Sequence, residues 1–489
     1  MKNVKLNPLE RNCDIAVIGL GCYYPGAKSP LELWENILAR RQQFRRMPDV
    51  RLPNSEYFDP DPSVLNKTYQ NKAAVIEGYE FDWMGKRIPK QTYESTDIVH
   101  WLALDTALQA IADTGFDKDS IPKEKTGVIL GNTLTGEFTR SNQMLLRWPY
   151  VRKVLKASAA QKGLTHVLGE LEGAMEAYYK SVFAPVTEDT LAGGLANTVA
   201  GRICNYLDLH GGGYIVDGAC SSSLLAVVTA ANYLESGQMD MVIAGGVDIS
   251  LDTFELIGFA KTRALTPDEM RVYDKGGKGF LPGEGCGMVI LKRLEDAIKD
   301  NNQIYAVIKG WGISSDGKGG ITAPSATGQS RALIRAHEKA GIDSNNLDFI
   351  EGHGTGTTVG DKVELEGITI ALNHKDKVSP RSCGVTSLKS IVGHTKAAAG
   401  IGAFIKTVMA VNRRVLPPTA GLKDLNDIFE EKAQSVYPIL HGQVRDSEST
   451  LLAGVSAMGF GGINSHVVMQ SGTLRSPKLQ PALAESKLM

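Results

Sequence analysis

Residues Tyr214–Leu225 read YIVDGACSSSLL. Tyr214–Val216 are apolar and β-prone, which predicts a buried strand. Asp217, Gly218 and Ala219 are small and permit a sharp turn. From Ser221 an apolar run, Leu224–Ala231, predicts a buried helix. Cys220 then sits at the bend, at or beside the helix N-terminus. There the unpaired N–H groups and the helix dipole favour negative charge, so a thiolate is expected to be stabilised.

Working outward, the same pattern recurs: an apolar strand, then small residues, then a helix. Asp14–Leu20, Thr126–Gly131 and Met239–Gly246 predict strands before residue 295. Ile304–Ile308, Leu347–Ile350, Gly384–Thr386 and Leu451–Val455 predict strands after 303. Helices are expected over Ser29–Ala39, Asp97–Thr114, Leu191–Leu207 and Ala326–Gly341. Glu137–Val182 has a helical, polar pattern and predicts a peripheral insertion. Arg40–Trp83 is rich in Pro and Asp and predicts irregular surface. The pattern is that of an α/β protein in two similar halves. The division is a 1–12 tail, a 13–298 half, a 299–470 half and a 471–489 linker. Ligand sites in layered α/β folds favour strand C-terminal ends, where the small residues lie.

The chain has 489 residues and a formal net charge of −1. That balance gives no global attraction to nucleic acid or an anionic membrane. Six cysteines are scattered without a CxxC pair, so neither a zinc knuckle nor a disulfide framework is suggested, and a reducing cytoplasm fits. The first twelve residues lack the apolar core of a secretory signal, and no apolar run is long enough to span a bilayer. GLGCYYPG (Gly19–Gly26) lacks the third glycine of a dinucleotide loop.

Two histidines fall just after predicted strands: His353 in EGHGTGT and His394 in SLKSIVGHTKAAAG. One loop histidine is usually unremarkable. A cysteine and two histidines, each at a strand end of one of two similar halves, are placed to converge. His466, in GGINSHVVM, lies on an alternating apolar stretch and reads as structural.

The elbow GACSSSL, the EGHGTGT…GD stretch, LKSIVGHTKAAAG and GFGGINSH occur in the order of the β-ketoacyl synthase family. From about Cys13 to Gln470 the chain resembles a ketosynthase domain of type I polyketide synthases. The resemblance implies a thiolase-like, five-layered αβαβα fold and a homodimer paired through the strand leading to Cys220. It implies Cys220 as the acylated nucleophile, His353 and His394 at the malonyl thioester, and Lys389 as the motif's lysine. Phe460 would be a gating aromatic, and the backbone N–H groups of Cys220 and Phe460 an oxyanion hole. Thr355 and Thr357 would face the incoming substrate, and Asp361 and Glu364 would shape the surrounding network.

The implied reaction is decarboxylative Claisen condensation of a Cys-bound acyl chain with malonyl-acyl carrier protein. Substrates would arrive on the carrier's phosphopantetheine, with no metal or redox cofactor. Two basic clusters, Arg40–Arg46 and Arg147–Lys153, are candidate docks for an acidic carrier. YEFDW, HWLALD, GNTLTGEF and LRWPYVRK also resemble the iterative enediyne-type synthases. Three positions depart from the family pattern: Gly218, where Thr is commoner; Met458, where an aromatic is usual; and Lys396, where an acid is common. None is expected to touch the reactive atoms. The alternatives are a non-elongating acyl-transferring ketosynthase and a non-catalytic partner of the chain-length-factor kind. Intact His353 and His394 argue against the first, and Cys220 against the second.

Overall fold

The computed structural model describes residues 13–472, apart from 118–119, 134–135, 250, 319, 321–322 and 447–448. Its main sheet has eleven strands. In chain order these are β1 (Ile15–Tyr23), β2 (Thr126–Gly131), β3 (Gly213–Val216), β4 (Met241–Asp248) and β5 (Gly285–Arg293). There follow β6 (Ala306–Ser315), β7 (Phe349–Glu351), β8 (Cys383–Thr386), β9 (Val436–Pro438), β10 (Leu452–Gly459) and β11 (Ile463–Ser471).

The first half runs β1-β5-β4-β2-β3 and the second β6-β11-β10-β7-β8, with β9 added at the far edge. The senses also match. From the first strand outward, the pairings in each half are antiparallel, antiparallel, parallel and parallel. The two halves meet where β1 pairs antiparallel with β6, Ala16 opposite Val307. The row is therefore one five-stranded motif used twice.

Alternation along each strand sends side chains to two faces. Val17 and Ile129 join Phe349, Val455 and Val467 in one central core. Ala16, Ile18, Val128 and Leu130 face an outer core under α1 (Ile98–Asp113) and α2 (Asn197–Leu207). Ile350, Val385 and Val468 face a third core with α4 (Ala326–Ala340) and α5 (Gly360–Leu372), which follow α3 (Ser222–Glu235) in the chain. Between the two halves of the sheet lie α3 and α6 (Ala399–Arg413). The order is helix, sheet, helix, sheet, helix, which makes five layers.

The central helices are apolar all round because both faces are covered. Every residue from Ala399 to Val411 is buried, and so are ten positions of α3. Fully burying one Leu or Val contributes about 1.5–3 kcal/mol, so this layer carries much of the stability. Close approach needs small residues: a Cβ on Gly131 of β2 would lie 2.4 Å from the Ser223 nitrogen. The one lysine in the buried part of α6, Lys406, is held 2.7 Å from the equally buried Glu351 carboxylate.

Several sequence expectations need correction. The strand before Cys220 is half-buried rather than buried, because β3 is the edge strand. Leu191–Leu207 is two helices, Thr190–Gly194 and Asn197–Leu207, broken at Leu195, whose backbone is extended. Arg40–Trp83 is largely irregular, but Arg45–Arg46 pairs with Lys72–Ala73 over a small core that includes Met47, Leu52 and Val75. Of the expected strand Ile304–Ile308 only Ala306–Ile308 is strand, the start of the longer β6. Glu137–Leu146, Trp148–Gln161 and Thr165–Ser181 are helices, as their pattern predicts, and lie at the periphery, with Trp148 packed on Tyr179. The 1–12 tail and residues from 473 onward lie outside the described residues. Among the described residues no helix is long and apolar enough to cross a membrane.

Candidate active site

The elbow forms as a three-residue turn, Ala219–Ser221, between β3 and α3. Local side chains brace it. Asp217 accepts the Ala219 N–H at 2.9 Å, and Ser222 Oγ accepts that of Gly218 at 3.0 Å. Ala219 takes a left-handed φ of 51°, a conformation that costs a residue with a Cβ about 1–2 kcal/mol. Ser221 Oγ lies 2.7 Å from Ser465 Oγ and 3.1 Å from the Ala457 carbonyl, which ties the elbow to the β10–β11 hairpin.

That hairpin carries Phe460. A Cβ on Gly459 would sit 2.2 Å from the Gly218 carbonyl, so only glycine lets the Phe460 turn lie this close to the elbow. Gly461 and Gly462 follow with φ of 92° and 80°, and Phe460 itself is 49% exposed.

His353 follows β7. Its loop is held by two buried carboxylates on α5. Glu364 accepts the N–H groups of His353 and Gly354, and Asp361 accepts those of Thr355, Gly356 and Tyr273. Burial pushes the Asp361 carboxyl up to about 7; the Tyr273 N–H works against the rise and Glu364 adds to it. Lys389 follows β8 and reaches back to the His353 carbonyl. Burial pulls its ammonium down, while Glu364 and Glu351 hold it up. His394 is pinned by its main chain, donating to Leu281 (2.8 Å) and accepting from Gly283 (2.9 Å).

A cavity of about 430 Å³ is lined by Cys220, His353, His394, Thr355, Thr357 and Phe460, with Glu364 behind the His353 loop. The structure thus brings together residues from both halves that the sequence places up to 240 positions apart (460 − 220). Lys389 and Asp361 lie outside this lining, both hydrogen-bonded to the His353 loop. The two imidazoles meet edge to face, 5.5 Å between centroids at 89°, and Phe280 packs at 5.0 Å on His394.

Both imidazoles are held neutral. Burial drives each well below the ordinary range, and the Lys389 charge adds to the effect. Each Nδ1 faces a backbone N–H: Met458 N at 3.2 Å for His353 and Lys396 N at 3.3 Å for His394. A donor aimed at Nδ1 places the neutral ring's own proton on Nε2. Both rings therefore offer an Nε2–H donor.

Two expectations fail here. The elbow alone does not lower the Cys220 pKa. Removal of water pushes the thiol up to about 11, Lys389 opposes this and Asp248 adds to it. The turn and helix N-terminus do not outweigh the loss of solvent around the thiol. Two of the three departures also do reach the reactive rings, since Met458 and Lys396 supply the N–H groups on Nδ1. The sequence signal was hidden because the contact is through backbone.

Nothing in the local sequence pattern marks Phe280 or the Lys396 partners Asp248 and Glu255, because their contacts are made across the fold. His466 is structural as expected, buried in β11 with Nδ1 2.8 Å from Ser456 Oγ. The basic clusters are partly paired on their own surface: Arg45 with Glu77, Arg46 with Asp49, and Arg152 with Glu172.

A family model described as "Beta-ketoacyl synthase, N-terminal domain" matches residues 12–297, and "Beta-ketoacyl synthase, C-terminal domain" matches residues 305–423. The fold is thiolase-like, and the chain belongs to the β-ketoacyl synthase family of acyl-transferring enzymes.

Within that family it is 34% identical over 472 residues to a polyunsaturated fatty acid synthase polypeptide of Thraustochytrium sp., covering 94% of this chain and 16% of that protein. It is 31% identical over 464 residues to polyketide synthase PksL of Bacillus subtilis, covering 93% of this chain and 9% of that protein. It thus spans a small fraction of these curated relatives. Among solved structures, the ketosynthase from module 6 of the bacillaene synthase of B. subtilis matches with a TM-score of 0.79 at 29% identity, over 94% of this chain and 72% of that one. The oxazolomycin ketosynthase domain OzmH KS7 of Streptomyces albus matches with a TM-score of 0.81 at 26% identity, over 95% and 75%.

Proposed function

We propose that this chain catalyses decarboxylative Claisen condensation between an acyl group on Cys220 and a malonyl thioester on an acyl carrier protein. The observation that carries the reading is a thiol and two neutral imidazoles, both with Nε2–H, lining one cavity. The Cys220 sulfur attacks an acyl thioester; the new C–S bond forms as the donor thiol leaves with the cysteine proton. The N–H groups of Cys220 and Phe460 stabilise the tetrahedral oxyanion. Malonyl thioester then loses carbon dioxide. The C–C bonding pair becomes an enolate, whose oxygen accepts from the two imidazoles. The enolate carbon attacks the Cys-bound acyl carbon, the C–S bond breaks with its electron pair going to sulfur, a β-ketoacyl thioester is released, and the Cys220 thiolate takes a proton from water to restore the thiol. Thr355 and Thr357, whose hydroxyls are 3.0 Å apart, face the phosphopantetheine arm.

The halves divide at 298/299, flanked by the 1–12 and 471–489 segments. The half-buried edge strand β3 supports pairing with a second copy. The six unpaired cysteines fit a reducing, cytoplasmic setting. Polyketide assembly of the iterative, enediyne-type kind is the finer reading; the polyunsaturated fatty acid synthase relative makes an acyl chain of that other class the competing product. Carrier docking at Arg40–Arg46 and Arg147–Lys153 is part of the proposal. The test is intact-mass detection of acyl-Cys220, followed by carbon dioxide release and chain extension with malonyl-carrier. Acylation without carbon dioxide release would mark a transfer-only ketosynthase. No acylation at all would sink the reading.

A further inference from the structure

Lys396 lies in the turn after His394, and its side chain is 3% exposed. Its ammonium sits 2.7 Å from Asp248 Oδ1 and 2.8 Å from Glu255 Oε2, carboxylates that are themselves 1% and 2% exposed. Asp248 ends β4, and Glu255 lies on the helix Thr253–Lys261. Both belong to the first half, whereas Lys396 belongs to the second. The other Asp248 oxygen accepts the Ala397 N–H at 3.2 Å. The Lys396 backbone has φ of 50°, a left-handed conformation that a lysine adopts only against a steric cost. In that conformation its N–H points at His394 Nδ1.

We propose that Lys396 is a positioning residue for His394. Its side chain, clamped by two carboxylates of the opposite half, holds the left-handed turn that aims its N–H at Nδ1 and so keeps the imidazole proton on Nε2. This rests on the reading of His394 as an enolate donor. The other contacts on His394 do different work. Leu281 and Gly283 fix its main chain, and the Phe280 edge fixes the ring plane, but neither selects a tautomer. Burial pulls the Lys396 ammonium down, yet Asp248 and Glu255 more than reverse this, so the ammonium stays charged; burial pushes the Glu255 carboxyl up to about 7 against the pull of Lys396.

The test uses the full chain with 15N-histidine labelling, the His394 signals being assigned with His394→Gln. Wild type should show a protonated Nε2 and an unprotonated Nδ1. Lys396→Met removes the ammonium that two buried carboxylates hold and can fail to fold. The second variant therefore adds Asp248→Asn and Glu255→Gln, which makes the site neutral. Circular dichroism and thermal melting establish that it is folded.

In this variant His394 should populate both tautomers. Malonyl-carrier decarboxylation should fall about 10- to 100-fold in kcat, the range for losing a partner that orients a functional group. Cys220 acylation should change far less. Lys396→Arg, which keeps the charge, should restore the single tautomer. A folded neutral variant that keeps the Nε2–H form would overturn the proposal, whether its decarboxylation rate is unchanged or reduced. Wild type that shows the Nε2–H form yet never decarboxylates malonyl-carrier would overturn the functional reading and leave the positioning role standing.

Discussion

The two central helices begin in the same way. In the first half, Ala219 (φ 51°), Cys220 and Ser221 form a short turn before α3; in the second, Lys396 (φ 50°), Ala397 and Ala398 form one before α6. Ala397 thus stands where the first half has Cys220. The surroundings differ. Cys220 lines the cavity, whereas Ala397 is fully buried, with its N–H taken by Asp248. At the head of α6 the Ile401 N–H is also occupied, by Ser223 Oγ at 2.9 Å. One elbow opens a thiol to the cavity, and the other locks the halves together beside His394. The repeat supplies the backbone, and what packs against each copy decides its chemistry.

Four outcomes sharpen or break that comparison. The largest effect is expected for Cys220→Ala, which should abolish the acyl adduct seen by intact-mass spectrometry while circular dichroism stays unchanged. A stoichiometric adduct on the variant would remove the first elbow from the chemistry. His394→Ala should permit acylation but slow condensation about 100-fold or more, the usual cost of one lost donor to a developing oxyanion. Condensation at the wild-type rate would make the second turn purely structural.

The third outcome concerns pH. With the Cys220 thiol pushed up to about 11, its thiolate fraction rises about tenfold per pH unit below that value. Iodoacetamide labelling of Cys220 should therefore keep accelerating from pH 7 to pH 10. Lys389 stabilises the thiolate, so Lys389→Met should move the profile to still higher pH. A plateau below pH 7 in wild type would show that the elbow dipole dominates after all.

The smallest effect is expected for Ala397→Cys in the Cys220→Ala background. An added sulfur in a packed layer should cost about 1–3 kcal/mol in a denaturant titration and gain no acyl adduct. An adduct at position 397 would mean that the elbow alone, rather than its exposure to the cavity, creates the nucleophile.

Much of this was legible along the chain. The helix over Ile98–Asp113 matches its expected span because Asp97 caps it, its side chain accepting the Val99 N–H, and apolar residues recur at helical spacing. The Pro30 helix begins where Ser29 caps it. Period and capping are local properties, so sequence reveals them. The break at Leu195 and the extension of β6 to Ser315 were not legible, because there tertiary packing overrides propensity.

By itself the sequence determined the alternation of strands and helices, the small-residue elbow around Cys220, and the strand-end placing of His353 and His394, since each depends on neighbours within a few residues. Only the tertiary structure decided that β3 is a half-buried edge and that Cys220 is a high-pKa thiol. It alone decided that the backbone N–H groups of Met458 and Lys396 fix the imidazole tautomers, and that Lys396 is clamped from the other half. Exposure, solvation, the Met458 contact and the carboxylate clamp on Lys396 arise between segments more than 100 residues apart, and the identity of a side chain carries no record of which distant segment will face it.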